Sequence, residues 1–249
     1  MKNLLKELGI KIVILSRGRW DTINTHNLLP DYIEVVVPES QKELYAKEIP
    51  NDLIVTPDSV KGLGMLRNWC LDNFKEETVI MLDDDIIKCY CITGKKGKGL
   101  TKDKVLEVLV NAAIMAKDAG CSVFGFTQTD IRKYRGTDPF SLCTWVGGVI
   151  GVIGKSMRFR NDKFKVDIDF CLQNLLVNRI VWCDNRYFFI QYRDCNKGGN
   201  SEFRTEKEYN NSTKSLKEKW GKYVQIKHGK DSQPRVHLNV QRKQNIKLY

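Results

Sequence analysis

The sequence predicts an α/β protein built on a mostly parallel, Rossmann-like sheet with helices on both faces. Short apolar runs rich in β-branched residues alternate with amphipathic segments along the first half of the chain. Each apolar run is four to six residues long, which suits a strand buried on both faces better than a helix. With 249 residues, 42% of them hydrophobic, the chain is long enough to bury one substantial core.

Four strands and three helices account for the first half of this pattern. The apolar runs that we predict as strands lie at residues 11–16, 32–37, 53–56 and 78–82. The segments that we predict as helices lie between them, at residues 20–29, 40–48 and 65–73. Pro30 stops the first of these helices because proline cannot continue it, and Ser40 is suited to cap the second.

The second half continues the pattern with less regular spacing. Thr101 is expected to cap a long amphipathic helix to Asp118, which Gly120 ends. The further strands are predicted at residues 121–126, 146–154, 180–182 and 187–190. The further helices are predicted at residues 167–177 and 206–220. Residues 93–100 and 127–142 are predicted as polar loops, and residues 221–249 are polar and basic.

Neither a membrane span nor a zinc site is predicted. The longest apolar run, residues 146–153, is far shorter than the roughly 20 residues that a spanning helix requires. Lys6 and Glu7 interrupt the apolar start, so we expect no signal peptide and a cytoplasmic location, in the host cytoplasm if the chain is viral. The eight cysteines form no Cys-x-x-Cys pair, and with three histidines they are expected to be buried thiols in a reducing compartment.

The formal net charge of +11 is concentrated in two basic clusters. Residues 88–104 contain six lysines and one aspartate. Residues 193–249 contain 14 lysines and arginines and six aspartates and glutamates. Basic faces attract polyanions, so we favour a polyanionic partner over the alternative that the charges only solubilise the surface.

Three consecutive carboxylates, Asp83, Asp84 and Asp85, follow the fourth predicted strand directly. In open α/β sheets, ligands bind beyond the carboxyl ends of the strands. Adjacent like charges repel one another unless a cation lies among them, and clustered oxygens suit Mg²⁺ or Mn²⁺. If the segment stays extended, Asp83 and Asp85 share one face and Asp84 takes the other. The alternative, a solvated acidic turn, is less favourable after a buried strand.

Three arginines in the first half suit the diphosphate of a nucleotide. Arg17, directly after the first strand, Arg19 and Arg67 can supply the paired donors that phosphate oxygens accept. Gly18 and Gly64 allow close approach to the backbone. The alternative for Arg19 and Arg67 is salt bridging at the surface.

Four segments, taken in chain order, resemble the GT-A glycosyltransferases. Residues 79–86, which contain the three aspartates, resemble the DxD element that binds the metal and the nucleotide sugar in that fold. Residues 12–19 resemble the first strand and the nucleotide-contact loop, and residues 36–45 resemble the second strand and its helix. Residues 62–68 resemble the segment that brings an arginine near the nucleotide. Together they look like the phage-type glycosyltransferases associated with TET/JBP oxygenases, which are linked to hypermodified DNA bases.

This resemblance implies a metal ion and a nucleotide-sugar donor. It covers residues 10–92 well and residues 145–205 loosely. Asp83 and Asp85 are expected to bind Mn²⁺ or Mg²⁺, and the donor is most simply a UDP-sugar. The residues expected to contact that donor are Ser16, Arg17, Arg19, Gly62, Gly64, Arg67, Asp84 and Lys197. His228 and His237 are available as further metal ligands, but neither has a flanking pattern that supports this role.

The second half is expected to bind the acceptor. Asp167 and Asp169, at the start of a predicted helix, resemble the acidic element that often supplies the general base in inverting GT-A enzymes. The alternative is helix capping, and we lean slightly towards Asp167 as the base. Trp145 resembles part of the acceptor-side strand, where it could stack on a sugar or a base, or equally belong to the core.

The sequence therefore predicts a metal-dependent glycosyltransferase domain at residues 1–205, with a basic helix and tail at 206–249 packed on the same domain. The favoured acceptor is a 5-hydroxymethyl pyrimidine, in the first place hydroxymethylcytosine, in phage DNA. The two basic clusters would bind its phosphates. One alternative is a GT-A enzyme that glycosylates a protein, a lipid or a surface glycan. Another is a nucleic-acid-binding module without catalysis, which the intact aspartate triplet disfavours.

Overall fold

The computed structural model describes residues 1–92, 99–127, 138–160, 165–192, 205–228 and 234–240. The α-helices in these ranges are α1 (Lys2–Glu7), α2 (Lys42–Glu48), α3 (Leu63–Asn73), α4 (Lys102–Asp118), α5 (Val166–Val177) and α6 (Glu206–Trp220). The strands are β1 (Ile10–Leu15), β2 (Glu34–Pro38), β3 (Leu53–Thr56), β4 (Thr78–Asp83), β5 (Ile86–Cys91), β6 (Val123–Thr127), β7 (Phe140–Ser141), β8 (Val149–Ile153), β9 (Trp182–Gln191), β10 (Val224–His228) and β11 (Pro234–Leu238).

The central sheet has nine strands in the order β3-β2-β1-β4-β8-β6-β9-β5, with β7 beside β9. Strand pairing gives β1, β2, β3, β4, β6 and β9 one direction, while β5, β7 and β8 run the opposite way. The mostly parallel α/β sheet predicted from the sequence is thereby confirmed. Because β2 and β4 lie on opposite sides of β1, the chain changes direction across the sheet between β1 and β4. Such a switch point opens a crevice at the carboxyl ends of the two strands.

Strand alternation divides the core into two layers. In β1, Ile12 and Ile14 face the layer that α2 and α4 cover, while Val13 and Leu15 face the layer that α3 and α5 cover. The same alternation recurs along β2, β4 and β8. A period of two residues is the expected result of a pleated strand buried on both faces, which is why these runs are apolar at nearly every position.

Two features of the sheet differ from the predicted elements. β5 follows the aspartate triplet immediately and returns antiparallel along β9, although Lys88 interrupts its apolar pattern. β9 is one strand of ten residues where the sequence predicts two, because polar Asp184 and Asn185 divide it. Both are satisfied inside the protein: Arg186 donates to Asp184 at 2.6 Å, and Asn185 donates to the Ser141 hydroxyl at 2.7 Å. The strand can therefore continue through them.

The helix ends agree with the sequence in part. α4 begins after Thr101 and ends before Gly120, whose positive φ of 70° closes the helix. The Ser40 hydroxyl donates to Asp58 at 2.7 Å, and α2 begins only at Lys42. The helix predicted at residues 20–29 is a single 3₁₀ turn at Thr25–Leu28.

The described C-terminal segments form a unit, residues 205–228 and 234–240, that packs on α5. α6 leads into an antiparallel hairpin of β10 and β11, which the sequence did not predict. Leu216 and Val224 bury their side chains against Ile168 and Leu172 of α5. The basic C-terminal segment therefore has an apolar attachment to the sheet domain.

Seven cysteines lie in the described residues, all as free thiols, and five of them are buried. Burial raises the pKa of Cys70 and of Cys171 to about 12, which keeps both protonated at neutral pH. No helix in the described ranges is both long enough and apolar enough to cross a membrane.

Replacing Gly151 of β8 with alanine should destabilise the fold, because a Cβ there would lie 2.1 Å from the Phe124 ring of β6. Overpacking of this kind typically costs about 1–3 kcal/mol of unfolding free energy, measurable by urea denaturation. Val177→Ala, at a residue that is 69% exposed, is the control and should change that energy by less than about 0.5 kcal/mol. Equal stability of the two variants would contradict the packing described here.

Candidate active site

The switch point between β1 and β4 gathers residues from five segments of the chain, four of which contribute acidic or basic side chains. Residues 16–19 follow β1, and the aspartate triplet links β4 to β5. The residues before β8 reach the same edge, because β8 runs antiparallel to β4 and the Asp83 amide donates to the Gly148 carbonyl at 2.8 Å. α3 contributes Arg67 and the first turn of α5 contributes Asp167.

Arg67 is fully buried and joins two carboxylates of this site. Its Nη2 lies 3.2 Å from Asp83 Oδ1, and its Nη1 donates to Asp167 Oδ1. The guanidinium also lies over the Phe159 ring, 5.3 Å from the centroid. Burial on its own lowers the pKa of Arg67, but the charges of Asp167 and Asp83 outweigh it and raise that pKa above its ordinary value. The site is therefore built around one permanent buried cation.

Asp83 and Asp85 share a second partner, Gln191 at the end of β9. Gln191 Nε2 lies 3.3 Å from Asp83 Oδ2 and 3.1 Å from Asp85 Oδ1. Burial raises the pKa of the Asp83 carboxyl; Arg67 opposes this rise, and the charges of Asp167 and Asp85 add to it. A bound cation would stabilise the charged form of Asp83 beside Asp85.

Asp84 points away from this pair and holds the loop after β1. The Ser16 hydroxyl donates to Asp84 Oδ2 and Arg19 Nη1 donates to Asp84 Oδ1, each at 2.6 Å. Tyr45 lies behind Ser16, with the two hydroxyls 2.6 Å apart, and burial raises the pKa of Tyr45 to about 12, so it remains a phenol. The sequence expectation assumed an extended segment, but Asp84 and Asp85 form a turn. Asp83 and Asp85 both contact Gln191, whereas Arg19 Nη1 lies 2.6 Å from Asp84 and 3.6 Å from Asp85.

Thr25, which the sequence analysis did not single out, fixes the backbone of the triplet. Its hydroxyl donates to the Asp83 carbonyl at 2.6 Å and accepts from the Ile86 amide at 2.9 Å. The amides of Asn24 and Thr25 both donate to the Asp84 carbonyl. A threonine in a polar turn carries no signal for this contact, because its partners are 58 and 61 residues away in sequence.

Gly147 and Gly148 provide the space into which two functional side chains fit. A Cβ on residue 147 would lie 2.8 Å from Asp167 Oδ2, and one on residue 148 would lie 2.6 Å from Gln191 Nε2. Gly148 also has a positive φ of 70°. Trp145, just before them, is half-buried between α5 and the C-terminal unit.

Asp169 has different surroundings from Asp167, although both lie in the first turn of α5. Its side chain is 1% exposed and accepts from Trp220 Nε1 at 2.8 Å and from Gln173 Nε2 at 2.8 Å. Lys219 Nζ lies 3.1 Å from the same carboxylate. These contacts tie α5 to α6, and only Asp167 takes part in the bridge through Arg67.

The other residues predicted to contact the donor include Arg17, Gly62, Gly64 and Lys197. Arg17 Nη1 donates to the Val60 carbonyl at 2.8 Å, which ties the loop after β1 to the segment before α3. Gly62 is the exposed N-cap of α3, with a φ of 95°. Gly64 is buried, and a Cβ there would lie 2.5 Å from the Arg160 carbonyl oxygen. A side chain at position 64 would clash with the backbone of Arg160, so packing within the protein accounts for a glycine at this position. Lys197 lies outside the described residues.

Asp83 and Asp85 fit a divalent cation that also binds substrate phosphate. In the described ranges, no three His, Cys, Asp or Glu side chains come together as a metal-binding group. Mg²⁺ commonly needs only one or two carboxylates, because phosphate oxygens and water complete its shell.

Solved structures with the same fold include nucleotide-binding enzymes. Glucosyl-3-phosphoglycerate synthase from Mycobacterium tuberculosis, in complex with Mn²⁺, UDP and glucosyl-3-phosphoglycerate, aligns with a TM-score of 0.55 and 11% identity, covering 95% of this chain and 88% of that one. Its complex with Mn²⁺, UDP-glucose and phosphoglyceric acid aligns with a TM-score of 0.55 and 10% identity, covering 95% of this chain and 89% of that one. A mycobacterial protein aligns with a TM-score of 0.56 and 12% identity, covering 95% of this chain and 85% of that one. No curated protein matches the chain significantly in sequence.

The mostly parallel sheet that the chain shares with these structures gives it the GT-A fold. The sequence narrows this further, because residues 10–199 match the model of the TET-associated glycosyltransferases. The chain belongs to that family. The resemblance inferred from the sequence is thereby confirmed.

Arg67→Met should destabilise the protein, because it removes the cation between Asp83 and Asp167. Breaking a buried ion pair costs about 3–5 kcal/mol, and the lower end is expected here because the two carboxylate side chains are 25% and 22% exposed. Urea denaturation measures the change. Arg158→Met, which breaks an exposed pair with Asp72, is the control and should cost less than about 1 kcal/mol. Equal losses in the two variants would contradict a central role for Arg67.

Proposed function

We propose that this glycosyltransferase transfers a sugar from a UDP-sugar to the hydroxyl of a 5-hydroxymethyl pyrimidine, in the first place hydroxymethylcytosine, in DNA. The observation that carries the proposal is the bridge from Asp83 through Arg67 to Asp167. It joins the end of β4, where a donor diphosphate would bind, to the first turn of α5, where an acceptor would meet its base. One site would thus hold both substrates at a fixed distance.

The donor half of the proposal rests on the edge formed by β1 and β4. Ser16, Arg17 and Arg19 follow β1 there, and the fold is shared with an enzyme whose crystals contain Mn²⁺ with UDP or UDP-glucose. Arg19 already contacts Asp84 and lies 3.6 Å from Asp85, so its charge would be felt by a diphosphate at the triplet. Ser16, Gly62, Asp84 and Lys197 remain proposed donor contacts.

The divalent ion, Mn²⁺ or Mg²⁺, would be held by Asp83 and Asp85. When bound, it would neutralise the charge that develops on the departing diphosphate. The protein contributes the rest: Arg67 keeps Asp83 oriented, and Thr25 fixes the backbone that carries both carboxylates. A rigid turn keeps the ligand pair in the same geometry through the reaction.

Asp167 is the proposed general base. It would take the proton of the acceptor hydroxyl as that oxygen bonds to the sugar. Arg67 holds one of its oxygens, and the other faces the backbone of Gly147, where no side chain intervenes. Asp169, proposed from sequence for the same role, is enclosed by Trp220, Lys219 and Gln173, which supports a positioning role.

The DNA acceptor is supported by family membership and by charge. The family is named for its association with TET enzymes. The C-terminal unit adds exposed lysines: Lys207, Lys214, Lys222 and Lys227. They would contact phosphates without reading sequence. A base in a duplex could reach the site only after extrusion from the stack.

The direct experiment incubates the protein with radiolabelled UDP-sugars, Mn²⁺ and DNA with or without hydroxymethylcytosine. A thermal-shift screen of nucleotide sugars with Mn²⁺ first selects the donor, because selective binding stabilises the folded state. Label is expected on the modified DNA alone. Transfer to a protein or glycan, with none to any modified DNA, would overturn the acceptor and leave the donor site standing.

Asp85→Ala should abolish sugar transfer while DNA binding keeps its affinity and its salt dependence, because the carboxylate serves the metal and the basic surface serves the phosphates. Transfer of label and electrophoretic mobility shift, each at several salt concentrations, measure the two properties. Asp72→Ala, at an exposed residue, is the matched control and should leave both unchanged. Loss of DNA binding with full turnover would favour a binding module.

Asp167→Asn should lower kcat by about 10²- to 10⁴-fold, the usual contribution of a general base, while the UDP-sugar still raises the melting temperature. Asparagine keeps an oxygen for Arg67 and cannot accept the proton. Single-turnover transfer with saturating donor measures the chemical step. An unchanged rate would exclude Asp167 as the base and would favour a retaining reaction, in which no dedicated base is required.

A further inference from the structure

Gln191 is held beside the aspartate triplet by the backbone of its own strand. It ends β9 and pairs with Ile86, the residue after Asp85, in the antiparallel register of β5 and β9. The next amide along, that of Tyr192, donates to the Asp85 carbonyl at 2.8 Å. The backbone of Gln191 is therefore held beside the triplet by strand pairing and by the hydrogen bond of the following residue, independently of any side-chain contact.

The side-chain amide of Gln191 spans the two carboxylates that we assign to the metal. Its nitrogen is 3.1 Å from Asp85 Oδ1 and 3.3 Å from Asp83 Oδ2. It lies flat against Gly148, where a Cβ would come within 2.7 Å of the amide nitrogen, carbon and oxygen alike. Any residue other than glycine at 148 would displace it. The Gln191 amide can therefore occupy the space between the two carboxylates because position 148 has no side chain.

An amide in this position can serve a cation as well as a carboxylate pair. A half-turn about the Cγ–Cδ bond exchanges the nitrogen donor for the carbonyl oxygen, which is a hard ligand of the kind that Mg²⁺ and Mn²⁺ accept. In the described part of the chain, no third carboxylate, imidazole or thiolate joins Asp83 and Asp85.

We propose that Gln191 is the third protein ligand of the divalent ion, a role that rests on the proposed binding of that ion by Asp83 and Asp85. A neutral third ligand adds an oxygen without adding a charge. The ion would then keep positive charge for the diphosphate, beside the arginines that follow β1. Without metal, the same amide donates to both acids and relieves their repulsion.

The test places a nitrogen ligand at position 191 and looks for it on the metal. In Gln191→His with Mn²⁺ and UDP, pulsed electron paramagnetic resonance should detect a directly bound imidazole nitrogen. The matched control is Gln173→His on α5, whose amide contacts Asp169, and it should show no such coupling. Mn²⁺ bound to Gln191→His without nitrogen coupling would overturn the proposal.

Metal affinity gives a second readout that needs no turnover. Gln191→Ala should weaken Mn²⁺ binding in the presence of UDP at least tenfold, measured by titration of the Mn²⁺ signal. Gln191→Glu, which keeps oxygens but cannot donate a hydrogen bond, should retain the affinity. If Gln191→Glu and Gln191→Ala lose Mn²⁺ affinity equally, or if neither variant loses affinity, Gln191 is not a ligand of the ion. Circular dichroism confirms folding of each variant. Absence of Mn²⁺ binding in the wild-type protein would instead overturn the proposed metal at Asp83 and Asp85.

Discussion

The contact of Arg67 with both Asp83 and Asp167 is the interaction on which the rest of the site depends. A fully buried guanidinium is tolerated only when its charge is matched, and two carboxylates from different elements match it. In return, the arginine fixes the end of β4 relative to the start of α5. The stacked rings of Phe159 and Phe170, with centroids 3.8 Å apart, support the same junction from below. The end of β4 and the start of α5 are therefore joined by ion pairs with Arg67, and apolar side chains pack around this junction.

Glycine determines how closely these halves approach. Residues 147 and 148 lie where side chains from α5 and β9 converge, and residue 64 lies where α3 meets the backbone of Arg160. Each contact would be blocked by a single methyl group. The catalytic geometry proposed here thus depends on backbone proximity at three positions as much as on the charged residues themselves.

The sequence predicted most of what local chemistry determines. The alternating strands and the fold class follow from hydrophobic periodicity and from the two-residue pleat of a strand. Gln191 and Thr25 could not be found in this way, because their side chains contact residues more than 50 positions away in sequence. β9 was divided wrongly because Asp184 and Asn185 look like a turn until their partners, Arg186 and Ser141, are known.

The burial of Asp169 sets a limit on how the chain can be shortened. Its carboxylate accepts from Trp220 and is paired with Lys219, both of which lie beyond the boundary at residue 205 that the sequence suggests. A fragment ending there would keep every residue of the switch point but would remove two partners of Asp169. It would also expose Ile168 and Leu172, on which Leu216 and Val224 pack, and exposing apolar side chains is unfavourable. A shortened version of this enzyme that keeps these contacts therefore has to extend past Val224.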